Sequence, residues 1–153
     1  MYRPLWSSQI LQEVGDALES KLGLTRAQRD HRTTEVSLAF PEALVSVPSC
    51  LAEPLAGIPD KDDRHVLAAA IAGHANVIVT NNVKHFPLEY LAQFDILCHS
   101  ADDFLIHQVH LNPYLVLEKV NGQAINIQRE IPDVLSILKI VAPKFVATVE
   151  KLL

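Results

Sequence analysis

The chain has 153 residues, of which 49% are hydrophobic, enough for one domain with a sizeable core and too few for a second large domain. Its 18 acidic and 13 basic side chains give a formal charge of −5. This excludes a protein whose whole surface attracts nucleic acid, but it is compatible with a nuclease because metal-binding carboxylates add negative charge. No apolar run reaches the roughly 20 residues needed to span a membrane, and the first residues lack a signal-peptide pattern.

The first two predicted elements are helices. Ser7 or Ser8 caps a helix whose apolar residues recur at helical spacing, and Gly23 ends it. The run Thr25-Arg26-Ala27-Gln28 has a capping-box pattern, which predicts a second helix with a polar and therefore exposed surface. Residues 43–47 follow as a short β-like run.

Helices and strands alternate in the middle of the chain. Asp62 or Asp63 caps a helix over residues 65–74, which is apolar on nearly every side and is therefore expected to be deeply buried. Residues 76–80 form a continuous apolar strand of the buried, parallel kind, and residues 95–99 form another. The alternation predicts an α/β layered domain with a mostly parallel sheet.

The last third of the sequence predicts helices. Ser100 caps one, and two later helical stretches are interrupted at Pro113 and Pro143. Residues 106–153 carry no motif that we can interpret. We therefore expect one domain over residues 1–105 and a helical extension of the same domain over residues 106–153.

Two cysteines, Cys50 and Cys98, lie far apart in apolar surroundings and form no CxxC pair. Small buried hydrophobic residues are the simpler interpretation of both. Since a disulfide scaffold is not indicated, we expect a reducing, cytoplasmic location.

Three places in the sequence carry polar residues suited to chemistry: Glu13 on the first helix, Asp62 and Asp63 before the buried helix, and residues 80–82 after the apolar strand. Sites in open α/β sheets form beyond the carboxyl ends of strands. Carboxylates converging there can hold Mg²⁺ or Mn²⁺, which activates water and stabilises charge on a phosphodiester. Each signal is weak alone, because Glu13 also suits a solvated helix face, Asp63 a helix cap and residues 80–82 a simple turn.

Two other clusters have competing interpretations. A basic group on the second helix, Arg26, Arg29, His31 and Arg32, suits either RNA phosphates or a solvated face. His107 and His110 share one helix face, as zinc ligands would, but no cysteine or third histidine lies close by in the sequence.

Four segments, taken together and in order, resemble the PIN-domain family of bacterial ribonucleases. They are residues 6–13, 60–70, 76–87 and 100–105, with the sequence Asp60-Lys61-Asp62-Asp63-Arg64-His65-Val66-Leu67-Ala68-Ala69-Ala70 as the central motif. The resemblance covers roughly residues 2–105, and the two middle segments are its most specific part.

The resemblance implies a three-layer α/β/α fold and a Mg²⁺- or Mn²⁺-dependent endoribonuclease, often the toxin of a toxin–antitoxin pair. RNA would be the substrate and an antitoxin protein the partner. By position, Glu13 and Asp63 match catalytic acids that bind the metal, and Asp62 and Asn82 are further metal residues. Thr80 and Asn81 are expected to lie beside the substrate, and Arg26 and Arg29 to contact RNA.

Two departures from the family pattern favour an alternative. PIN domains begin with a strand that carries a metal-binding Asp, whereas no Asp precedes Glu13 here. His85 stands where an Asp is common, and a neutral histidine supplies no charge to a cation. These departures suggest a non-catalytic PIN relative acting as a protein-interaction or RNA-binding module, or a gene product that extends upstream of Met1. A sheet without its first strand would expose edges, so we also expect a homo-oligomer.

Overall fold

A computed structural model describes residues 2–51 and 55–153. These residues group into two compact units. The larger unit comprises residues 2–78 and 84–98, and the smaller comprises residues 79–83 and 99–153. No helix in the described part of the chain is long and apolar enough to cross a membrane.

The larger unit opens with the two predicted helices, α1 (Ser8–Leu22) and α2 (Arg26–Ala39). Ser7 Oγ accepts a hydrogen bond from the backbone N–H of Ile10 at 3.2 Å, and Gly23 ends α1 with a left-handed φ of 66°. The capping box at the start of α2 is present in full, and no α2 residue is buried, so both predictions for this helix are confirmed.

The predicted strand over residues 43–47 is wrong except at one position. Pro41–Ala43 forms a 3₁₀ helix, after which Leu44 makes an isolated parallel bridge with Trp6. Trp6 N–H donates to the Ala43 carbonyl at 3.0 Å, and Val45 N–H donates to the Trp6 carbonyl at 2.8 Å. The 3₁₀ turn that begins at Pro41 includes Ala43, the first residue of the predicted strand, and Pro48 lacks the N–H that continued pairing requires.

Helix α3 (Arg64–Ala72) is the buried central helix that the sequence predicts, with His65 and Leu67 to Ala70 buried. The predicted capping by an Asp62 or Asp63 side chain is wrong. Asp60 instead accepts from the Asp62 N–H at 3.0 Å and caps the preceding 3₁₀ turn, Lys61–Asp63. Asp63 has φ −90° and ψ −9°, not the extended backbone of a capping residue, so its carboxylate makes no cap.

Two short parallel strands form the sheet, β1 (Val77–Val79) and β2 (Leu97–His99), with the single-turn helix α4 (Leu88–Leu91) between them in sequence. Leu97 N–H donates to the Asn76 carbonyl at 2.9 Å within the larger unit, and Thr80 N–H donates to the His99 carbonyl at 2.9 Å within the smaller. The α/β class is confirmed, although the described chain is mostly helical.

The smaller unit contains four helices: α5 (Ala101–Leu111), α6 (Pro113–Asn126), α7 (Ile131–Leu138) and α8 (Pro143–Val149). Each of the last three has a proline in its first turn, where the missing N–H has no helical partner to lose. They pack with α5 around a shared apolar core, which includes Val109, Val116, Val120, Leu135, Phe145 and Val146. The predicted breaks at Pro113 and Pro143 are therefore confirmed as helix starts.

The two cysteines differ in burial. Cys98 is buried in β2, as predicted, and burial raises the pKa of its thiol. Cys50 is exposed, so the prediction that it is buried is wrong. It lies in a three-residue 3₁₀ helix, Ser49–Leu51, none of whose residues is buried.

Candidate metal centre

Three side chains of the larger unit bring possible metal ligands together: Asp60, Asp63 and His85. One ligand atom from each lies within 4.8 Å of the other two. His85 Nδ1 is 2.5 Å from Asp63 Oδ2 and 3.8 Å from Asp60 Oδ2. The shorter contact is a hydrogen bond that orients the Asp63 carboxylate.

Local structure explains why these groups converge. Asp60 and Asp63 lie three residues apart, at the two ends of a single 3₁₀ turn, where residues i and i+3 are aligned. The Asp60 carboxylate is held there by the Asp62 N–H. His85 ends a second 3₁₀ turn, Val83–His85, and its neighbour Phe86 is only 2% exposed, which anchors the chain beside the acids.

The centre is open to solvent and its chemistry suits a divalent cation. The side chains of Asp60, Asp63 and His85 are 45%, 23% and 42% exposed, so water and a phosphate group have access. Carboxylate oxygens suit Mg²⁺ and Mn²⁺, whereas an imidazole nitrogen suits transition metals better than Mg²⁺. The donor set therefore fits a divalent ion, and Mn²⁺ better than Mg²⁺.

Glu13 of α1 lies beside a different residue of this region, His65 of α3. Glu13 Oε1 is 3.2 Å from His65 Nε2, within ion-pair distance. The pair makes no hydrogen bond, so His65 Nε2 has no hydrogen-bond partner among the described residues. The other ring nitrogen, Nδ1, is 2.6 Å from the Asp62 carbonyl.

Comparison with known proteins shows the family of the chain. The family model described as PIN domain matches residues 1–84, which is more than half of the chain. The chain belongs to the PIN-domain family. The matched range includes Glu13, Asp60 and Asp63, and His85 is the first residue after the end of that range.

One similar protein is a Mycobacterium tuberculosis (strain ATCC 25618 / H37Rv) protein named "Putative ribonuclease VapC50". It is 53% identical over 49 residues, which make up 32% of this PIN protein and 29% of the relative. The chain therefore aligns with less than a third of that relative's length. No solved structure matches the chain.

Only some of the residues predicted for the PIN site are brought together. Asp63 is in the three-residue centre, whereas Asp62 takes part through its backbone: its N–H donates to Asp60 and its carbonyl contacts His65. Asp62 is an exposed residue. Its role as a metal ligand stays a prediction, as do the metal-binding and catalytic roles of Glu13.

The predicted polar loop of the PIN site lies in the smaller unit. Asn82 N–H donates to Thr80 Oγ1 at 3.1 Å, and Asn81 Oδ1 accepts from the Ala101 N–H at 3.5 Å. These contacts are those of a turn that leads from β1, which is the simpler of the two interpretations. The metal role of Asn82 and the substrate roles of Thr80 and Asn81 stay predictions.

The two arginines predicted to contact RNA differ in their surroundings. Arg26 is exposed. Arg29 Nη2 is 2.7 Å from Asp30, and its Nη1 is 3.3 Å from Glu19. The hydrogen bond to Asp30, followed by the charges of nearby acids, raises the pKa of Arg29. Its guanidinium thus links α1 and α2, and contact of either arginine with RNA stays a prediction.

The sequence analysis did not choose Asp60 or His65 as site residues. It interpreted His85 as a departure from the family pattern that weakens cation binding, not as a possible ligand. The spacing of Asp60 and Asp63 was a usable signal, because a tight turn aligns residues three apart. His85 could be placed at the site by its position in the PIN pattern. The burial of His65 could have been anticipated from the apolar sequence that follows it, but the contact with Glu13 depends on how α1 packs against α3.

Proposed function

We propose that this chain is a divalent-metal-dependent endoribonuclease of the PIN type and the toxin of a toxin–antitoxin pair. The observation that carries the proposal is the grouping of Asp60, Asp63 and His85 within 4.8 Å. It is supported by the family membership of the chain and by the local similarity to a protein named as a ribonuclease. The antitoxin partner rests on the family resemblance.

In this proposal Asp60, Asp63 and His85 hold the ion. A bound divalent ion lowers the pKa of water and offsets the charge that develops on a phosphodiester. The residues themselves position that chemistry: Asp60 is fixed by the backbone of its own turn, and Asp63 is oriented by His85. When an ion is held, the proton between His85 Nδ1 and Asp63 Oδ2 has to leave that nitrogen for it to act as a ligand.

RNA is the substrate class that the proposal names. The three ligands are exposed, which leaves room for a phosphate group of an extended RNA strand. Asp60 and Asp63 form their ion-pair contacts with His85, inside the same centre. Glu13, at the surface of α1, is the further acid that we assign both to the ion and to the reaction, and its side chain is 53% exposed.

Calorimetric titration with Mn²⁺ tests the metal centre directly. We expect saturable binding by the unaltered chain and a loss of at least roughly 100-fold in affinity for Asp63→Asn, since even residues that only orient ligands contribute about 10- to 100-fold. Asp95→Asn is the matched control, because Asp95 is exposed and has a left-handed φ of 55° that Asn tolerates well. Asp62→Asn tests whether the Asp62 side chain contributes to Mn²⁺ binding in addition to the three-residue centre.

Cleavage of a single-stranded RNA by the same variants tests the reaction. Metal-dependent cleavage that disappears in Asp63→Asn and persists in Asp95→Asn supports the nuclease. Mn²⁺ binding without cleavage of any RNA would instead favour the non-catalytic PIN relative. Absence of Mn²⁺ binding by the unaltered chain would overturn the metal centre itself.

A further inference from the structure

His65 is a buried polar residue that the proposed metal chemistry leaves without a role. It is the second residue of α3, which follows the acidic turn, the 3₁₀ turn Lys61–Asp63 with its cap Asp60. Only 9% of the surface of His65 is exposed. Buried polar groups are normally hydrogen-bonded, so each exception calls for a physical reason.

The hydrogen-bond partners of its ring determine which nitrogen carries the proton. Nδ1 lies 2.6 Å from the Asp62 carbonyl oxygen. A carbonyl oxygen can only accept, so Nδ1 donates its proton to that bond. This bond fixes the ring and turns Nε2 away from the acidic turn, toward α1.

Nε2 is shielded from solvent and has no hydrogen bond to the described residues, yet Glu13 Oε1 is only 3.2 Å away. With the Nδ1 proton donated to the Asp62 carbonyl, Nε2 needs a second proton, taken up from solvent, before it can donate to Glu13. The ring is then an imidazolium whose Nε2–H donates to Oε1, and both groups are satisfied. The Glu13 side chain is 53% exposed, so its carboxylate has room to align with that N–H.

We propose that His65 is a positioning residue for Glu13, bridging the Asp62 carbonyl and the Glu13 carboxylate through its two ring nitrogens. The bridge ties the acid of α1 to the turn that carries Asp60 and Asp63. The consequence for cation binding rests on the proposed function, whereas the bridge itself does not.

Imidazole ¹⁵N NMR of the metal-free chain tests the bridge without any reaction. We expect the Nδ1 resonance of His65 to report an attached proton. Glu13→Gln should shift the Nε2 resonance of His65 and leave the ring resonances of His107 and His110 in place. Glu13 is at the surface, so the variant is expected to fold. An Nε2 resonance that does not respond to Glu13→Gln would overturn the bridge.

Two substitutions of His65 separate the two halves of the bridge. His65→Asn keeps a donor near the Nδ1 position but is too short to reach Glu13, whereas His65→Gln places a donor near the Nε2 position. We expect His65→Asn to weaken Mn²⁺ binding by roughly 10- to 100-fold, the range for residues that orient ligands, and His65→Gln to recover much of that loss. Thermal unfolding followed by circular dichroism confirms that each variant is folded.

A double-mutant cycle shows whether His65 acts through Glu13. If it does, His65→Asn costs little further Mn²⁺ affinity once Glu13→Gln is present. Losses that multiply in the double variant would overturn the positioning role, as would full Mn²⁺ affinity in a folded His65→Asn chain. Failure of the unaltered chain to bind Mn²⁺ would refute the proposed metal centre alone, because the NMR experiment still decides whether the bridge exists.

Discussion

At the scale of the residue, His85 determines which metal ions the candidate centre prefers. It places a ring nitrogen 2.5 Å from an Asp63 oxygen, at a position where the family resemblance leads us to expect an acid. Compared with an acid, a histidine supplies no negative charge to the centre but keeps a ligand atom in it. A site built this way relies less on charge and more on the affinity of a transition metal for nitrogen.

Replacing His85 by Asp should therefore shift the metal preference toward Mg²⁺. An added carboxylate beside two others strengthens binding of an oxygen-preferring ion, and we expect Mg²⁺ affinity to rise by roughly tenfold, or about 1.4 kcal/mol. Without an ion, three close carboxylates repel one another, so the melting temperature of the metal-free variant should fall.

Calorimetry with Mg²⁺ and Mn²⁺ on both chains measures this shift. His85→Asn serves as the control, because it removes the ring nitrogen without adding charge and should weaken Mn²⁺ binding. An unchanged ratio of Mn²⁺ to Mg²⁺ affinity in His85→Asp would show that His85 is not a ligand.

At the scale of the element, Asp102 of α5 holds the start of α8. Its two carboxylate oxygens accept from the backbone N–H groups of Lys144 and Phe145, at 3.1 and 2.8 Å, and the side chain is only 8% exposed. Those N–H groups belong to the first turn of a helix and have no partner within it. The neighbouring Asp103 is at the surface, where Ser100 and then Lys144 lower the pKa of its carboxyl.

Asp102→Ala should lower the free energy of unfolding by roughly 3 kcal/mol, because it leaves one buried and one part-buried backbone donor unsatisfied. Asp102→Asn retains one acceptor oxygen and should lose less. Asp103→Ala is the matched control and should cost much less than Asp102→Ala, because exposed ion pairs contribute little to stability. Urea unfolding measures all three, and equal losses at positions 102 and 103 would contradict the special role of Asp102.

Sequence patterns predicted these helices well, because prolines and capping residues mark their starts locally. Ser7, the Thr25 capping box, Pro113 and Pro143 all lie where the pattern placed them. The strand over residues 43–47 failed because strand formation depends on a distant partner, and Trp6 supplies only one pair. Asp63 does occupy the N-cap position of α3, but its side chain makes no capping hydrogen bond, because its backbone conformation is not extended and residue type does not encode that conformation.

The candidate site was predictable in a similar, partial way. Asp63, which lies in the three-residue centre, was chosen because of its position in the PIN pattern. Glu13 was chosen on the same basis, and its role stays a prediction. Asp60 and His85 were not chosen as ligands, since their meeting depends on two separate turns that fold against each other. The His65 contact with Glu13 depends in the same way on helix packing, which no local pattern encodes.

At the scale of the whole molecule, charge limits how the protein can hold RNA. The chain carries −5 formally, because 18 acids outnumber 13 lysines and arginines, and Arg29, Lys119 and Lys144 are engaged in ion pairs. An RNA backbone that followed the surface for a long distance would therefore meet repulsion. The expected homo-oligomer would change this balance only by bringing basic groups of two copies together, and sedimentation of the chain tests that expectation.

The affinity for single-stranded RNA should therefore depend only weakly on salt. Each phosphate neutralised on a single strand contributes about −0.7 to the slope of log K against log salt, so about three contacts predict a slope near −2. Fluorescence anisotropy with the Asp63→Asn chain, between low and physiological KCl, measures the slope without cleavage. Arg26→Gln should reduce its magnitude by roughly 0.7 if Arg26 meets a phosphate. A slope steeper than about −5 would instead reveal an extended basic surface, such as an assembly of several copies would provide, and RNA recognition would then belong to the assembly rather than to the single chain.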